Sequence, residues 1–369
     1  MGVPLFQIRD LIKRHNVEVF SSNYTLYQDM SNRVMATIKT FPHEVEVYSI
    51  DESFLKIRNF LPKDLVLHGC DIKDKISQWT GIPVSIGFGS TKTLAKLANH
   101  LAKNIGEYNG VCDLSYAPTT KIQSILSKLR ISDIWGFGKR VEEKLNRIGV
   151  YSPDQLFKYT DNQLRKMLTV VGLKTIYELK GISCIELEEI EEAKKNMCVS
   201  RSFGKNVHSK EHLLEALTYF ISKGCEKLRK QKQICDTFSI FIKTNRFSNE
   251  SYYSNGYLIE MPIATNDTRI LLKYLNQALD KIFVERLKYK KAGVLFYGLQ
   301  QERNNQATLF NIKDSSNPSL MKAIDKINSK YGKNTLLFMP VETSQPWQMT
   351  SDFKSPKYTT SFKELKSVR

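Results

Sequence analysis

The chain has 369 residues, of which 41% are hydrophobic and 25% are charged, and its formal net charge at pH 7 is +17. This length exceeds one ordinary hydrophobic core and predicts two or three globular domains. No segment approaches the ~20 apolar residues of a membrane span. The basic charge therefore favours nucleic acid as the partner. The six cysteines have no C-x-x-C spacing, which argues against a zinc site or a disulfide framework.

The N-terminal third carries an acidic pair inside a strand-like pattern. A strand is predicted over residues 17–20 and an amphipathic helix over 24–40, capped within 21–23. Residues 44–57, EVEVYSIDESFLKI, then have the β-branched and aromatic types of a half-buried strand, with Asp51 and Glu52 at its centre. Adjacent strand residues point to opposite faces, so a turn or bulge must lie here if both carboxylates serve one site. The simpler alternative is a solvated acidic pair on an edge strand.

A turn rich in glycine, serine and threonine follows, with the sequence GFGSTKTLAKLAN at 87–99. The pattern predicts a strand, a turn and a helix whose N-terminal N–H groups would favour a phosphate. Ordinary strand-to-helix turn chemistry explains the stretch as well, and the spacing is not that of a P-loop. Lys96 and Lys103 are predicted to be solvated charges on the helix face.

Residues 122–181 predict short helices broken by glycines. The sequence IWGFGKR, followed by a helix that ends in RIGV, is typical of a helix-hairpin-helix. In such a hairpin Gly136 and Gly138 let backbone amides approach a phosphate, and Lys139 and Arg140 add charge. Residues 170–173 suggest a second, degenerate hairpin, and 186–195 read as a linker.

Residues 196–300 predict a βαββαβ order, which is a split sheet with two helices on one face. The other face would be free. Basic residues could line that face or its rim, namely Arg201, Lys205, Lys243, Arg246 and the lysines within 288–291. Each lysine alone is explained by solubility, but the set favours contacts with a nucleic-acid backbone.

The C-terminal part begins with a polar connector that contains QATLF. Gln306, Leu309 and Phe310 suggest a docking peptide, because an exposed Leu-Phe pair needs a partner's pocket. Beyond it we predict a helix over 319–331, a strand over 335–339 and a basic, exposed tail.

These motifs together resemble a known family. YSIDESF at 48–54 resembles the second carboxylate motif of the Y-family translesion DNA polymerases. The GFGSTKTLAKLAN turn and the C-terminal stretches WQM and SPKYTT make the chain most similar to the UmuC subgroup, over essentially its whole length. The resemblance implies an α+β multidomain fold: a partial palm with a mixed or antiparallel sheet (1–120), a helix-hairpin-helix thumb (121–185), a linker (186–196), a βαββαβ little-finger domain (197–300) and a C-terminal extension (301–369).

The resemblance also implies a function. Such a chain is the catalytic subunit of an error-prone DNA polymerase of the bacterial SOS response, which extends damaged primer-template DNA with deoxynucleoside triphosphates. Asp51 and Glu52 would hold two Mg²⁺ ions, and Lys92 would contact the triphosphate. QATLF would bind the sliding clamp, and a UmuD′-like subunit and a RecA filament would be further partners. We expect a cytoplasmic protein that joins the nucleoid when active, without contact to a membrane.

The sequence departs from the family at its start. The family's first metal-binding Asp lies in an N-terminal strand ahead of the SIDE motif, whereas residues 1–50 here match the part that follows that strand. Asp10, in the basic context RDLIKR, is no substitute. Two hypotheses therefore remain open, a translesion polymerase and a non-catalytic protein that binds damaged DNA and the clamp. A helix-hairpin-helix nuclease or glycosylase ranks last, because no Lys or Asp stands at the expected place after the hairpin.

Overall fold

The structure is a computed structural model that describes residues 2–58, 62–188, 195–248, 250–302, 316–332, 334–341, 347 and 353–365, without the side chains of 62 and 63. The chain forms two compact units. The first comprises Met1–Glu191 and Phe353–Arg369, and the second comprises Glu192–Asp352. Within the described ranges, no helix combines the length and the apolar character needed to cross a bilayer.

The first unit contains seven helices and four short strands in the ranges that the structure describes. In chain order these are α1 (Arg9–Arg14), α2 (Tyr24–Ile38), β1 (Glu44–Val47), β2 (Ser53–Lys56), α3 (Pro62–Thr80), β3 (Ile86–Phe88), α4 (Lys92–Asn104), β4 (Val111–Asp113), α5 (Thr119–Leu126), α6 (Lys139–Asn146) and α7 (Asp161–Leu179). Single 3-10 turns lie at Leu5–Gln7, Gly106–Tyr108, Ile131–Asp133, Pro153–Lys158 and Phe362–Glu364. Strands β1 and β2 form an antiparallel hairpin, and β3 and β4 form a parallel pair.

The strand pattern over 44–57 forms the two strands of a hairpin, and the acidic pair lies in its loop. The strand predicted over 17–20 is wrong. These residues have no strand partner among the described residues, and the one bridge of this segment joins Ser21 to Lys354. The capping prediction is confirmed, because the Asn23 side chain accepts a hydrogen bond from Leu26 N. The helix α7 is broken at Thr169 (φ 67°), one residue before the predicted second hairpin.

The second unit has the predicted βαββαβ order. Its elements are β5 (Met197–Val207), α8 (Lys210–Lys230), β6 (Gln233–Thr244), β7 (Ser254–Thr265), α9 (Thr268–Ile282), β8 (Tyr289–Tyr297), β9 (Gln300–Gln301) and α10 (Pro318–Lys330). The main sheet is antiparallel in the order β5-β8-β6-β7. Side chains of even number pack under α8 and α9 over 238–242 of β6 and 292–296 of β8, where Phe220, Phe238 and Phe296 are fully buried. The odd-numbered residues over 239–243 and 291–297 therefore form the opposite, open face.

The C-terminal part of this unit lies against α8. Arg229 Nε and Nη2 donate to the two carboxylate oxygens of Asp325 on α10, at 2.6 and 2.8 Å. The predicted strand over 335–339 is absent. The side chain of Asn328 binds both backbone groups of Leu336 instead, at 2.8 and 3.1 Å. The side-chain amide thereby takes the place that a neighbouring strand would have.

Candidate active site

The acidic pair sits at the end of the β1–β2 hairpin. The backbone N–H groups of Tyr48 and Ser49 both donate to the carbonyl oxygen of Glu52, at 3.1 and 3.0 Å, which closes the loop. Ser49 Oγ donates to Asp51 Oδ1 at 2.6 Å and accepts from Asp51 N at 3.3 Å. Asp51 and Glu52 are both exposed. The expectation that a turn must lie at this pair is therefore confirmed.

Two lysines one turn apart on α4 bind carboxylates of this hairpin. Lys92 Nζ lies 2.5 Å from Glu46 Oε2, and the two side chains are only 10% and 9% exposed. Lys96 Nζ lies 2.5 Å from Glu52 Oε1. The expectation that Lys96 is a solvated charge is wrong, because this side chain is 21% exposed and paired. Lys103, by contrast, is exposed.

Glu46 was not singled out in the sequence, although it closes this network. It lies directly opposite Phe54 in the hairpin, and its Oε2 also accepts from Glu188 N at 2.7 Å. A carboxylate at a buried strand position needs such partners, because an unpaired buried charge is costly. The only sequence signal was its place within the apolar alternation of β1.

The N-terminus of α4 is occupied by a second buried carboxylate. Thr91 caps the helix, and its Oγ1 donates to Glu178 O at 2.8 Å. The carboxylate of Glu178, fully buried in α7, accepts from Thr93 N at 3.0 Å and from Cys184 N and Ile185 N at 2.6 and 3.1 Å. The predicted turn is present, but an internal anion takes the Thr93 N–H that a phosphate could have used.

The helix-hairpin-helix lies between α5 and α7. Gly136 has φ +89°, a conformation that favours glycine, and Gly138 is the N-cap of α6. Phe137 between them is 5% exposed and anchors the turn in the core, whereas Lys139 and Arg140 are exposed at the start of α6. The N–H of Phe137 itself donates to Ile134 O at 3.0 Å. The two exposed glycines and the two cations thus lie on one loop.

The sheet register places the predicted basic residues of the second unit on different surfaces of the sheet. Lys243 on β6 lies directly opposite Lys291 on β8, and both belong to the open face. Arg201 pairs in register with Ala292 of the covered face, but it is exposed because β5 is an edge strand. Arg246 is exposed in the β6–β7 turn. Of these four residues, Lys243 and Lys291 therefore share the open surface, and the two arginines lie at its rim.

On the same open face, one aromatic ring is surrounded by small residues. Phe241 lies beside Gly293 and Gly256 on the two neighbouring strands, and Ser200 follows Gly293 on the next strand. A Cβ added at Gly293 would lie 2.5 Å from Phe241 Cζ, so the Phe241 ring covers this glycine closely. Lys243 Nζ lies 5.3 Å from the centroid of that ring. The predicted docking residues Gln306, Leu309 and Phe310 lie outside the described residues.

Comparisons with known proteins agree with this architecture. Models of the impB/mucB/samB family match residues 1–100, its C-terminal domain matches 194–309, and the IMS family HHH motif matches 119–150. A domain of unknown function matches 318–368.

Full-length relatives and a solved structure point the same way. Protein UmuC of Salmonella typhimurium is 38% identical over 375 residues, covering 100% of this chain and 88% of that protein. DNA polymerase IV of Clostridium acetobutylicum is 26% identical, covering 91% and 82%. A solved Y-family DNA polymerase chimera has the same fold with a TM-score of 0.56 at 20% identity, over 76% of this chain and 78% of that one. The chain belongs to the impB/mucB/samB family, the UmuC subgroup of the Y-family translesion DNA polymerases.

Proposed function

We propose that this chain carries out template-directed nucleotidyl transfer past damaged bases, with Asp51 and Glu52 as its metal-binding carboxylates. The observation that carries this proposal is the hydrogen-bonded turn that presents both carboxylates at the end of a hairpin, beside the lysines of α4. A rigid turn supports two adjacent acidic side chains on one site, which a regular strand would not do.

The donor atoms of this turn fit Mg²⁺, which prefers one or two carboxylates and completes its shell with water and phosphate oxygens. The Lys96 ammonium at 2.5 Å from Glu52 supports the proposal, because it is a positive charge already held by this carboxylate. Over the described ranges, no group of three or more His, Cys, Asp or Glu side chains is arranged to hold a metal ion. A two-ion site would need at least one further ligand beside Asp51 and Glu52. Asp51 and Glu52 would hold such ions, whose charge would supply activation of the primer hydroxyl and neutralisation of the leaving phosphates.

Lys92 supports the proposal because a lysine paired with one carboxylate can also bind a phosphate. Its ammonium has three N–H donors, and the contact with Glu46 Oε2 uses one of them. The remaining donors could bind a triphosphate oxygen while Glu46 keeps the side chain extended toward the hairpin. We infer that Glu46 orients Lys92 for the incoming nucleotide.

The DNA contacts are proposed separately for each unit. In the first unit, the Gly136–Gly138 turn with Lys139 and Arg140 suits a phosphate of the duplex. In the second unit, the adjacent Lys243 and Lys291 would repel each other unless an anion lay over them. Both contacts are independent of base sequence, as translesion synthesis requires.

The proposed partners follow from the subgroup. Gln306, Leu309 and Phe310 would bind the sliding clamp, and a UmuD′-like subunit and a RecA filament would join the enzyme on nucleoid DNA. We expect Leu309→Ala with Phe310→Ala to abolish clamp binding in a pull-down while the affinity for free primer-template DNA stays unchanged. Clamp binding that survives this double substitution would remove the peptide from the proposal.

Primer extension past an abasic site tests the polymerase proposal. Asp51→Ala and Glu52→Ala should each abolish extension with Mg²⁺ and leave duplex binding in the absence of divalent cations intact, because both side chains are exposed. Glu107→Ala, which removes an exposed acidic side chain elsewhere in the same unit, is the matched control. Extension that persists without both carboxylates would refute the assignment.

The second candidate is a non-catalytic protein that binds damaged DNA and the clamp. The absence of a third clustered carboxylate from the described ranges favours it. It predicts salt-sensitive DNA binding that is unaffected by Asp51→Ala, together with no synthesis at any Mg²⁺ or Mn²⁺ concentration. Metal-dependent synthesis by the 369-residue chain excludes this candidate.

A further inference from the structure

Three aromatic rings join the helix-hairpin-helix to the acidic turn. Trp135, in the loop that leads into α6, donates from Nε1 to the hydroxyl of Tyr48 at 3.2 Å. The centroid of its ring lies 5.7 Å from that of Tyr48 and 5.7 Å from that of Phe54, and Tyr48 and Phe54 are 5.6 Å apart. The three rings therefore form a closed triangle in which each touches the other two.

The triangle flanks the acidic pair on both sides. Tyr48 opens the loop that carries Asp51 and Glu52, and Phe54 lies in the strand that leaves it. Lys92 Nζ is 5.0 Å from the Phe54 centroid, and Lys96 Nζ is 5.5 Å from the Tyr48 centroid. The two cations that bind Glu46 and Glu52 thus rest on the same rings, a favourable contact between an ammonium and an aromatic face.

The backbone of Trp135 is held by the DNA-binding hairpin and not by the acidic turn. Ile134 before it is 3% exposed, and Phe137 two residues later is 5% exposed, both in the core that α5, α6 and α7 share. Gly136 between them turns the chain at φ +89°. A displacement of this loop must therefore move the indole against Tyr48 and Phe54.

We propose that Trp135 is a positioning residue through which DNA bound at the helix-hairpin-helix and a divalent cation bound at Asp51 and Glu52 favour each other. This inference rests on the proposed function. Binding of DNA to the Gly136–Gly138 turn fixes the loop, the loop fixes the indole, and the indole holds the start of the acidic turn. By linkage, a cation at the turn must strengthen DNA binding by the same factor.

The contact could instead serve stability alone, and the two roles differ in what they change. A purely structural Trp135 would alter the unfolding midpoint and leave the effect of the cation on DNA affinity untouched. A positioning role changes that effect even in variants that fold normally. The ratio of DNA affinities with and without cation is therefore the informative quantity.

The experiment uses the full chain, a fluorescent primer-template duplex and Mn²⁺ as the probe. Duplex affinity is measured by anisotropy with and without Mn²⁺ at constant ionic strength. The Asp51→Ala, Glu52→Ala double variant gives the baseline for Mn²⁺ bound to DNA itself. We expect Mn²⁺ to tighten duplex binding about fivefold over this baseline in the unsubstituted chain, within the usual range of coupling between two sites.

Trp135→Ala should bring the ratio of duplex affinities with and without Mn²⁺ close to that of the double carboxylate variant. Trp79→Ala is the matched control, because Trp79 is a 57% exposed tryptophan on α3 that contacts Lys75 and no residue of the triangle. Trp135→Phe and Tyr48→Phe keep the rings and lose the hydrogen bond. They should give equal, partial losses, and the double variant should lose no more than either. These two variants carry the test if Trp135→Ala does not fold.

Two results overturn the inference in distinguishable ways. In the first, the unsubstituted chain exceeds the double carboxylate variant in the ratio of duplex affinities with and without Mn²⁺, but Trp135→Ala or the two Phe variants leave this ratio unchanged. That result refutes the coupling and leaves the proposed metal site standing. An unsubstituted chain that matches the double carboxylate variant refutes the metal site, and the coupling with it.

Discussion

Lys92 and Lys96 stand one helical turn apart, and each holds a different carboxylate of the hairpin. Their surroundings give them different energetic roles. The Lys92–Glu46 pair is almost completely buried, so each partner is needed to neutralise the other. The Lys96–Glu52 pair is open to solvent on the Glu52 side, where the carboxylate is 43% exposed, and a competing cation can reach it.

Glu46→Gln should destabilise the first unit strongly. The substitution leaves the Lys92 ammonium buried without its counter-charge, which typically costs about 3–5 kcal/mol of unfolding free energy. Urea denaturation followed by circular dichroism measures it. The Glu46→Gln, Lys92→Met double variant should recover most of the loss, since no unpaired charge remains. A single variant as stable as the unsubstituted chain would contradict the buried pair.

Lys96→Met should tighten cation binding at the acidic turn. The substitution removes an ammonium that competes for Glu52, and a charge contact of this kind near the surface is worth about 1 kcal/mol, or about fivefold in affinity. Mn²⁺ titration monitored by electron paramagnetic resonance gives the dissociation constant. Lys103→Met, which removes an exposed lysine from the last turn of the same helix, should change it little. Equal effects of the two substitutions would mean that only net charge matters.

His43 and His68 make the stability of the first unit depend on pH in a range different from that of the carboxylates. Their Nε2 atoms lie 2.8 Å apart. Burial lowers the pKa of both imidazoles below the usual 6.5, the neighbouring His68 lowers the pKa of His43 further, and Asp71 partly opposes the shift at His68. Because the unfolded chain takes up these protons more readily, stability is highest above the unfolded-state pKa. It falls as the pH drops below that value.

The urea midpoint should therefore decrease between about pH 7.5 and pH 5.5, above the range in which carboxylates titrate. His43→Gln removes one of the two titrations and should make this decrease smaller. An equal decrease in the variant would show that other groups are responsible.

The open face of the second unit is an element-scale feature that no single residue reveals. Lys243 and Lys291 become neighbours only through the register of β6 and β8, which places residues 48 positions apart side by side. Replacement of both lysines by Gln should reduce the magnitude of the negative slope of log affinity for duplex DNA against log salt by about 1.8, since each lost phosphate contact contributes about 0.9. Fluorescence anisotropy over a salt series measures that slope.

Lys273→Gln with Lys281→Gln is the matched control for this slope. Both lysines are exposed on α9, which packs on the opposite face of the sheet. This control should leave the slope unchanged. A similar fall in both double variants would place the DNA contact outside the open face.

The sequence predicted elements well where one periodicity dominated. The order of β5 to β8 with α8 and α9 was correct because each has a clear alternation or helical stripe along its own length. The strands over 17–20 and 335–339 failed because a strand also needs a neighbour, which apolar composition does not supply. The Asn328 contact with Leu336 shows how a side chain can satisfy backbone groups in place of a ladder.

In the candidate site, too, the sequence did not predict contacts between residues that are far apart along the chain. Asp51 and Glu52 were singled out as an acidic pair in a strand pattern, their role and that of Lys92 stay predictions from the resemblance, and the need for a turn followed from strand geometry. Glu46 and Glu178 were missed because their partners lie far away in sequence, 46 residues from Glu46 to Lys92 and 85 from Thr93 to Glu178. A buried carboxylate is recognised by what neutralises it, and that information exists only after folding.

At the scale of the molecule, each unit has its own core, and the C-terminal region contributes to both. Trp347 is 2% exposed and packs on Phe203, Tyr219 and Phe220 of the second unit. Trp347→Ala should lower the stability of this unit by about 3–5 kcal/mol through the cavity it leaves. Thermal unfolding measures the loss, and limited proteolysis should show earlier cleavage C-terminal to α10.

The control for this substitution is Trp79→Ala on the exposed surface of the first unit, which should leave the second unit's unfolding unchanged. Unaltered stability after Trp347→Ala would contradict the packing described here.

The last residues of the chain belong to the first unit. Ser21 N donates to Phe353 O at 2.8 Å, and the Asn23 side chain donates to the backbone and hydroxyl oxygens of Ser355 at 3.0 and 3.2 Å. On a ribosome, the partners of Ser21 and Asn23 are therefore made more than three hundred residues later, after the whole second unit has been translated. The first unit therefore cannot complete these contacts until residues 353–355 have been synthesised. A stalled or prematurely ended chain would leave the cap of α2 without these hydrogen bonds.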